Sequence, residues 1–227
     1  LAHTHKYLVM SKARTRRAQR NIVLFFLSFI YVFVIGMIGN DVVISYLYYA
    51  ILTAIYFSAV LVTIEKKYKY FYLAVLLMLI DAGALFFNLN VISIIASVLS
   101  LLFFIYVIIK LVTRIAKSKT VGTLEFLEAI NIYFLIGIIG SILFRLIYIN
   151  NAHAFNYPGT SLRQTADFLY FSFVTMTTLG YGDITPSHEI AKALAIFLSF
   201  TGQLYLAMIV AMLVGKYLSQ PKHDEKK

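Results

Sequence analysis

The chain has 227 residues, of which 61% are hydrophobic and 13% charged, with three prolines, no cysteine and a net charge of +10. A soluble domain carries roughly 25% charged residues and about half apolar ones, so this composition excludes a soluble fold and describes a chain built for a membrane. The missing cysteines exclude disulfides and thiolate metal sites.

The charge does not indicate a nucleic-acid partner. Of the 20 cations, all but Arg145, Arg163 and Lys192 fall in four clusters: Lys6–Arg20, Lys66–Lys69, Lys110–Lys119 and Lys216–Lys227. Alternate hydrophobic spans bring those clusters to one side, the positive-inside pattern of a multi-pass protein in the cell membrane with both termini cytoplasmic.

Crossing the hydrocarbon core takes about 20 apolar residues. Six segments meet that length, at about Ile22–Gly39, Val42–Ile64, Phe71–Phe87, Val91–Ile109, Leu124–Ile149 and Glu189–Leu218. The expected fold is an all-α membrane protein with six transmembrane helices per subunit and one re-entrant helix. Residues 1–21 form a basic cytoplasmic N-terminus suited to anionic lipid head groups. The apolar run after Arg16-Arg17 is too long for a signal core and stays as an anchor.

The first four spans, residues 22–112, are joined by the short links Asn40-Asp41, Glu65–Tyr70 and Asn88–Asn90, which make neighbours antiparallel. A voltage sensor needs about 3–4 gating charges per subunit, yet Val91–Ile109 contains neither Lys nor Arg. Lys110 and Arg114 stand only at its cytoplasmic end, where snorkelling accounts for them. These four helices therefore look like a sensor-shaped scaffold or ligand-sensing domain. Asp81 is the one carboxylate within their spans; an ion- or proton-sensitive site and a helix–helix bond both fit it.

Residues 113–123 form a basic polar stretch on the cytoplasmic side, a solvated linker or a helix lying along the inner interface. Thr123 is placed to cap the fifth helix, with Glu125 and Glu128 near its positive end. Arg145, near the outer end of that helix, either snorkels outward or bonds Asp167 or Glu189. A polar outer loop with the Pro158-Gly159 turn follows, and His153 and His188 are loop histidines that an external pH response could use. Then "DFLYFSFVTM" (Asp167–Met176) is apolar over a length too short to span, which marks a re-entrant helix.

It runs directly into "TMTTLGYGD", Thr175–Asp183. Non-helical backbone is tolerated at membrane depth only where protein buries it or water bathes it, so a water-filled axis is expected there. Gly180 and Gly182 allow positive φ without a Cβ penalty. Alternating left- and right-handed residues can aim successive carbonyls one way, and Thr178 can add its hydroxyl. Such a ladder of neutral oxygens replaces the hydration shell of a monovalent cation without trapping it. One copy offers too few oxygens to surround an ion, so closed rings require a cyclic homotetramer.

"TMTTLGYGD" followed by an apolar helix resembles the pore signature of potassium channels over about Leu124–Leu218, with Leu179 where Val is more usual. The resemblance implies potassium selectivity, with K+ held by the backbone carbonyls of Thr178, Leu179, Gly180 and Tyr181. Thr177, Gly182, Asp183 and Tyr170 would support the filter. Family members often place Trp in the pore helix; here Tyr170 and Phe171 stand in those places, and Tyr170 keeps a hydroxyl for Asp183. Val174 stands where some members carry a glutamate behind the filter. The pore domain is thus 124–218 and the cytoplasmic tail 219–227.

In "FTGQLYLAMIVAMLVGKYL" (Phe200–Leu218), Gly202 falls where the family's inner-helix hinge would lie, and close helix packing fits it too. Gln203, Leu206 and Val210 share a face suited to a cavity; Ala211, Val214 and Leu218 could converge into a hydrophobic gate. Gating is either intrinsic or set by a regulatory domain or ligand outside this chain. No nucleophile–base or metal-ligand constellation marks an enzyme. A non-selective cation channel is opposed by the complete Thr-Leu-Gly-Tyr-Gly. A secondary transporter would need an inverted repeat, and no second half mirrors the interrupted element.

Overall fold

A computed structural model describes residues 2–34, 41–63, 90–118, 122–157 and 164–219, and these are almost entirely helical. Helix α1 (Ala2–Phe29) continues through a π-helical turn, Ile30–Val34. It begins 20 residues before the predicted start at Ile22. Ala2–Asn21 contains no Gly or Pro and many strong helix formers, so the basic N-terminal segment is helical and leads without a break into the apolar part.

α2 spans Asp41–Thr63 and α3 spans Asn90–Lys117. The predicted third span and Asp81 lie outside the described residues. α3 corresponds to the predicted fourth span but runs past Ile109 to Lys117. Residues 113–117 of the expected linker are therefore helix, and only Ser118–Gly122 connects α3 to α4 (Thr123–Asn150). After α4 come β1 (Phe155–Asn156), the short helix α5 (Gln164–Met176), β2 (Thr185–Pro186) and α6 (Glu189–Leu218).

Among the described residues, four helical stretches are long and apolar enough to cross a membrane: Arg14–Val34, Ser97–Lys117, Thr123–Asn150 and Glu189–Leu218. α4 is their common strut, packing against α1, α3, α5 and α6. Its buried residues, among them Ile132, Leu135, Ile138 and Phe144, fall on every side of the helix, as expected for an element surrounded by others. Glycines allow the closest approaches. A Cβ at Gly137 would lie within 3.0 Å of the Phe173 ring, and one at Gly140 within 3.0 Å of Ser172 and Leu198. Ser172 Oγ also donates to the Gly137 carbonyl at 2.6 Å, which fixes α5 against α4.

At the end of the bundle where the cations gather, a polar network joins five helices. Glu128, only 1% exposed, accepts from Arg114 at 2.9 Å and from Asn21 at 3.4 Å. Asn131 donates to the Asn21 carbonyl at 3.0 Å, and Arg14 pairs with Glu125 at 3.2 Å. The last carbonyls of a helix have no intrahelical donor, and here other helices supply one. Arg20 donates to Leu61 O at 2.9 Å and Arg114 to Val62 O at 3.1 Å at the end of α2. Lys216 of α6 donates to Ile115, Ala116 and Ser118 carbonyls at 2.8, 3.0 and 2.9 Å at the end of α3. Gly122, not Thr123, caps α4: Thr123 is already helical, and Glu125 folds back to accept from the Gly122 N–H at 2.9 Å.

Removing Glu128 would strand a mostly buried guanidinium, because the Arg114 side chain is only 21% exposed. Breaking a buried pair costs about 3 kcal/mol or more, and at this chain size each kcal/mol shifts a midpoint by about 2–4 °C. Glu128→Ala is therefore expected to lower the thermal midpoint in detergent by about 6–12 °C. A shift under about 2 °C would mean that water already solvates the pair.

Candidate functional site

The Thr175–Asp183 segment begins where α5 stops. Thr177 N–H still bonds Phe173 O at 2.9 Å, and its hydroxyl donates to the same carbonyl at 2.6 Å. The chain then leaves the helix with positive φ at three alternate positions: Thr178 (62°), Gly180 (58°) and Gly182 (83°). Leu179 and Tyr181 between them are not in that region, so the hand of the backbone alternates residue by residue. Glycine takes this conformation freely, but Thr178 pays about 1–2 kcal/mol for it as an L-residue. That strain is held by three bonds: Thr178 N to Thr175 O at 3.0 Å, Leu179 N to Val174 O at 3.0 Å, and Gly180 N to Val174 O at 3.4 Å.

These bonds use N–H groups. Among the described residues, the carbonyls of Thr178, Leu179, Gly180 and Tyr181 receive no protein donor. All four residues are exposed in the single chain. Backbone carbonyls require a partner, so this row of oxygens has to meet water or a cation.

The far side of the segment is anchored. The Tyr170 hydroxyl hydrogen-bonds the Asp183 carboxylate. β2 pairs antiparallel with β1, Phe155 opposite Pro186 and Asn156 opposite Thr185. Ser187 N–H bonds Ala154 O at 2.9 Å, and Ser187 Oγ bonds the His153 carbonyl at 2.6 Å. Beneath this clasp lies an aromatic core of Phe144, Phe155, Phe168 and Phe171, with Ile184 and Leu198; the Phe144–Phe171 and Phe155–Phe168 ring centroids are 4.7 and 5.0 Å apart. The clasp was not foreseen in the sequence, because two-residue strands leave no periodic pattern. His188 has a structural task, its Nδ1 accepting from Ile190 N–H at 3.3 Å to cap α6. Arg145 turns inward, lining a cavity of about 20 Å³ with Tyr31, Tyr48, Ser141 and Thr165.

α6 divides into two faces. Gly202, Tyr205, Ile209 and Leu213 are buried, and the Tyr205 hydroxyl donates to Ala129 O of α4 at 2.7 Å. Gln203, Leu206, Val210, Ala211, Val214 and Leu218 are all exposed on the other side. At Gly202 a Cβ would stand within 3.0 Å of the Met176 side chain and carbonyl, at the point where α5 gives way to the carbonyl row. This residue therefore seats α6 directly beneath the segment.

Residues 131–219 match the ion channel family. The chain is 32% identical to two-pore potassium channel 4 of Arabidopsis thaliana over 108 residues, 48% of this chain and 35% of that protein. It is 42% identical to two pore potassium channel a of Oryza sativa subsp. japonica over 60 residues, 26% of this chain and 17% of that protein. It is also 36% identical to a voltage-gated potassium channel of Aeropyrum pernix over 53 residues, 23% and 18% of the two chains. Each match covers about a third or less of the relative's length. No solved structure matches the chain.

The contact at Gly202 has a control in the same helix, since a Cβ at Gly215 would meet nothing within 4 Å. Gly202→Ala is expected to cost about 1–3 kcal/mol by overpacking and lower the thermal midpoint, whereas Gly215→Ala, free of any clash, should hold the midpoint or raise it by the roughly 0.5–1 kcal/mol that alanine gains over glycine inside a helix. Equal midpoints for the two variants would contradict the close seating of α6 on Met176.

Proposed function

We propose that this chain, a member of the ion channel family through residues 131–219, assembles as a homotetramer that conducts potassium passively across the plasma membrane. The observation that carries the proposal is the row of four donor-free carbonyls, Thr178 to Tyr181, on a backbone of alternating hand. Repeated four times about an axis, the row would form successive rings of neutral oxygens, which replace the water around a K+ ion and release it again because no fixed charge traps it. The names of the similar proteins support potassium as the ion.

In this account α5 is the pore helix, with the negative end of its dipole directed toward the axis. Thr177, Tyr170, Gly182 and Asp183 brace the filter from behind and shape its mouth. The exposed face of α6 lines the aqueous path, with Gln203, Leu206 and Val210 along the cavity and Ala211, Val214 and Leu218 as a dewetting gate. Bending at Gly202 would have to slide past Met176, so the hinge assigned there by family resemblance would couple gate movement to the base of the filter. The cationic end of the bundle faces the cytoplasm, and the subunit crosses the membrane six times.

Voltage dependence is expected to be weak. Lys110 lies near the end of α3, its ammonium 5.6 Å from the centre of the Tyr106 ring, and Arg114 is bound to Glu128 and to Val62 O. Neither is placed to travel through the field, and each charge that did so would contribute about 2.3 kcal/mol per 100 mV.

Purified protein in a planar bilayer under asymmetric KCl and NaCl tests both statements. The reversal potential should follow the potassium gradient, and open probability should stay nearly flat with voltage. A reversal potential midway between the two cations would point to a non-selective pore, and a steep voltage response would mean that charge moves elsewhere in the first helices.

A further inference from the structure

Arg145 is a cation on α4, one of the stretches long and apolar enough to cross a membrane. Among the described residues no carboxylate pairs with it, neither Asp167 nor Glu189. Its Nε is shut off from solvent and has no hydrogen-bond partner there. Leaving a buried donor unmade costs about 1–3 kcal/mol, and more when the group is charged. The atom therefore calls for a partner that the described side chains do not supply.

The cavity beside it is where that partner fits. Arg145 and Ser141 of α4 line it with Tyr31 and Tyr48 of the first helices and Thr165 of α5. Its volume of about 20 Å³ admits one occupant of about the size of a water molecule, which excludes a phosphate, a sulfate or a lipid head group. Charge then selects among the small occupants. The lining carries a guanidinium and no carboxylate, and a hydrogen bond from an ionised donor to an ionised acceptor is roughly twice as strong as one between neutral groups. Ser141 and Arg145 stand at i and i+4, on one face of α4. Hydroxyl protons rotate to suit an acceptor. Ser141 Oγ donates to Ile138 O at 2.8 Å, a carbonyl that also lies within the α4 ladder, so its proton can be turned into the cavity without stranding that oxygen.

We infer that this cavity binds one small monovalent anion, of the size and charge of chloride, held by the Arg145 Nε–H and by the hydroxyls of Ser141 and Thr165. The anion neutralises the guanidinium and ties α4 and α5 to the first two helices. The site lies within one copy of the chain and stands apart from the carbonyl row, so it does not depend on what the row conducts.

Bromide replaces chloride in such a site and scatters anomalously. Crystals of the full chain grown in KBr are expected to show a peak in the cavity at hydrogen-bond distance from Arg145 Nε. In detergent at constant ionic strength, the thermal midpoint should be higher in KCl than in potassium gluconate, whose anion is too large for the cavity. A ligand of the folded state alone raises the midpoint by about 5–10 °C at about 100 times its Kd. Arg145→Gln should remove this dependence. Thr165→Val, which takes away one hydroxyl at nearly constant volume, should move it to higher chloride. An ordered water in place of the bromide peak, with equal midpoints in the two salts, would overturn the inference. So would a peak without any midpoint dependence, which would mark an adventitious ion only. The loss of both peak dependence and stability in Asp81→Asn, to the same extent as in Arg145→Gln, with no bromide in the unaltered chain, would assign the neutralising charge to that carboxylate and overturn it as well.

Discussion

The arrangement depends on one constraint: a peptide carbonyl inside a membrane must have a partner. Helices meet it internally, which is why nearly every described residue of this chain is helical. The stretch from Thr178 to Tyr181 does not meet it, and the surrounding structure is organised around that exception. Its N–H groups are tied back to the end of α5, its far side is held by Tyr170 and by the β1–β2 clasp, and α6 is seated beneath it at Gly202. Among the described residues of this segment, the carbonyls of Thr178 to Tyr181 are left without a protein donor. On the proposed function the missing partner is a potassium ion, shared between four such rows.

The same constraint explains the other end of the bundle. The ends of α2 and α3 also present unpaired carbonyls, and there the chain supplies cations of its own: Arg20, Arg114 and Lys216. One end thus fills its helix-end carbonyls with fixed charge. On the proposed function, the other leaves its own open to an exchangeable ion. Because Lys216 stands near the end of α6 and grips α3, the last helix is tied directly to the end of α3.

Much of this was legible in the sequence, and the exceptions have physical causes. The bounds of α6 and nearly those of α4 follow from long apolar runs, and the short α5 follows from a run too brief to span. Positive φ at Gly180 and Gly182 could be anticipated because only glycine is comfortable there; the same conformation at Thr178 could not, since it is imposed by bonds back to α5. The sequence reading marked the apolar spans alone, and α1 and α3 extend beyond them because arginine and lysine are good helix formers and here find partners on neighbouring helices. Glu125 and Glu128 were read only as favourable charges at a helix start. Their pairing with Arg14, Arg114 and Asn21 joins positions more than 100 residues apart as well as near ones, and nothing in local spacing announces it.

The most direct test is to look for the ion. Crystals of the assembled protein grown with rubidium in place of potassium would carry an anomalous scatterer of closely similar size. The account predicts a column of anomalous peaks on a fourfold axis, each between the carbonyl oxygens of neighbouring residues from Thr178 to Tyr181. An assembly without a fourfold axis, or an axis whose peaks lie away from those carbonyls, would contradict it.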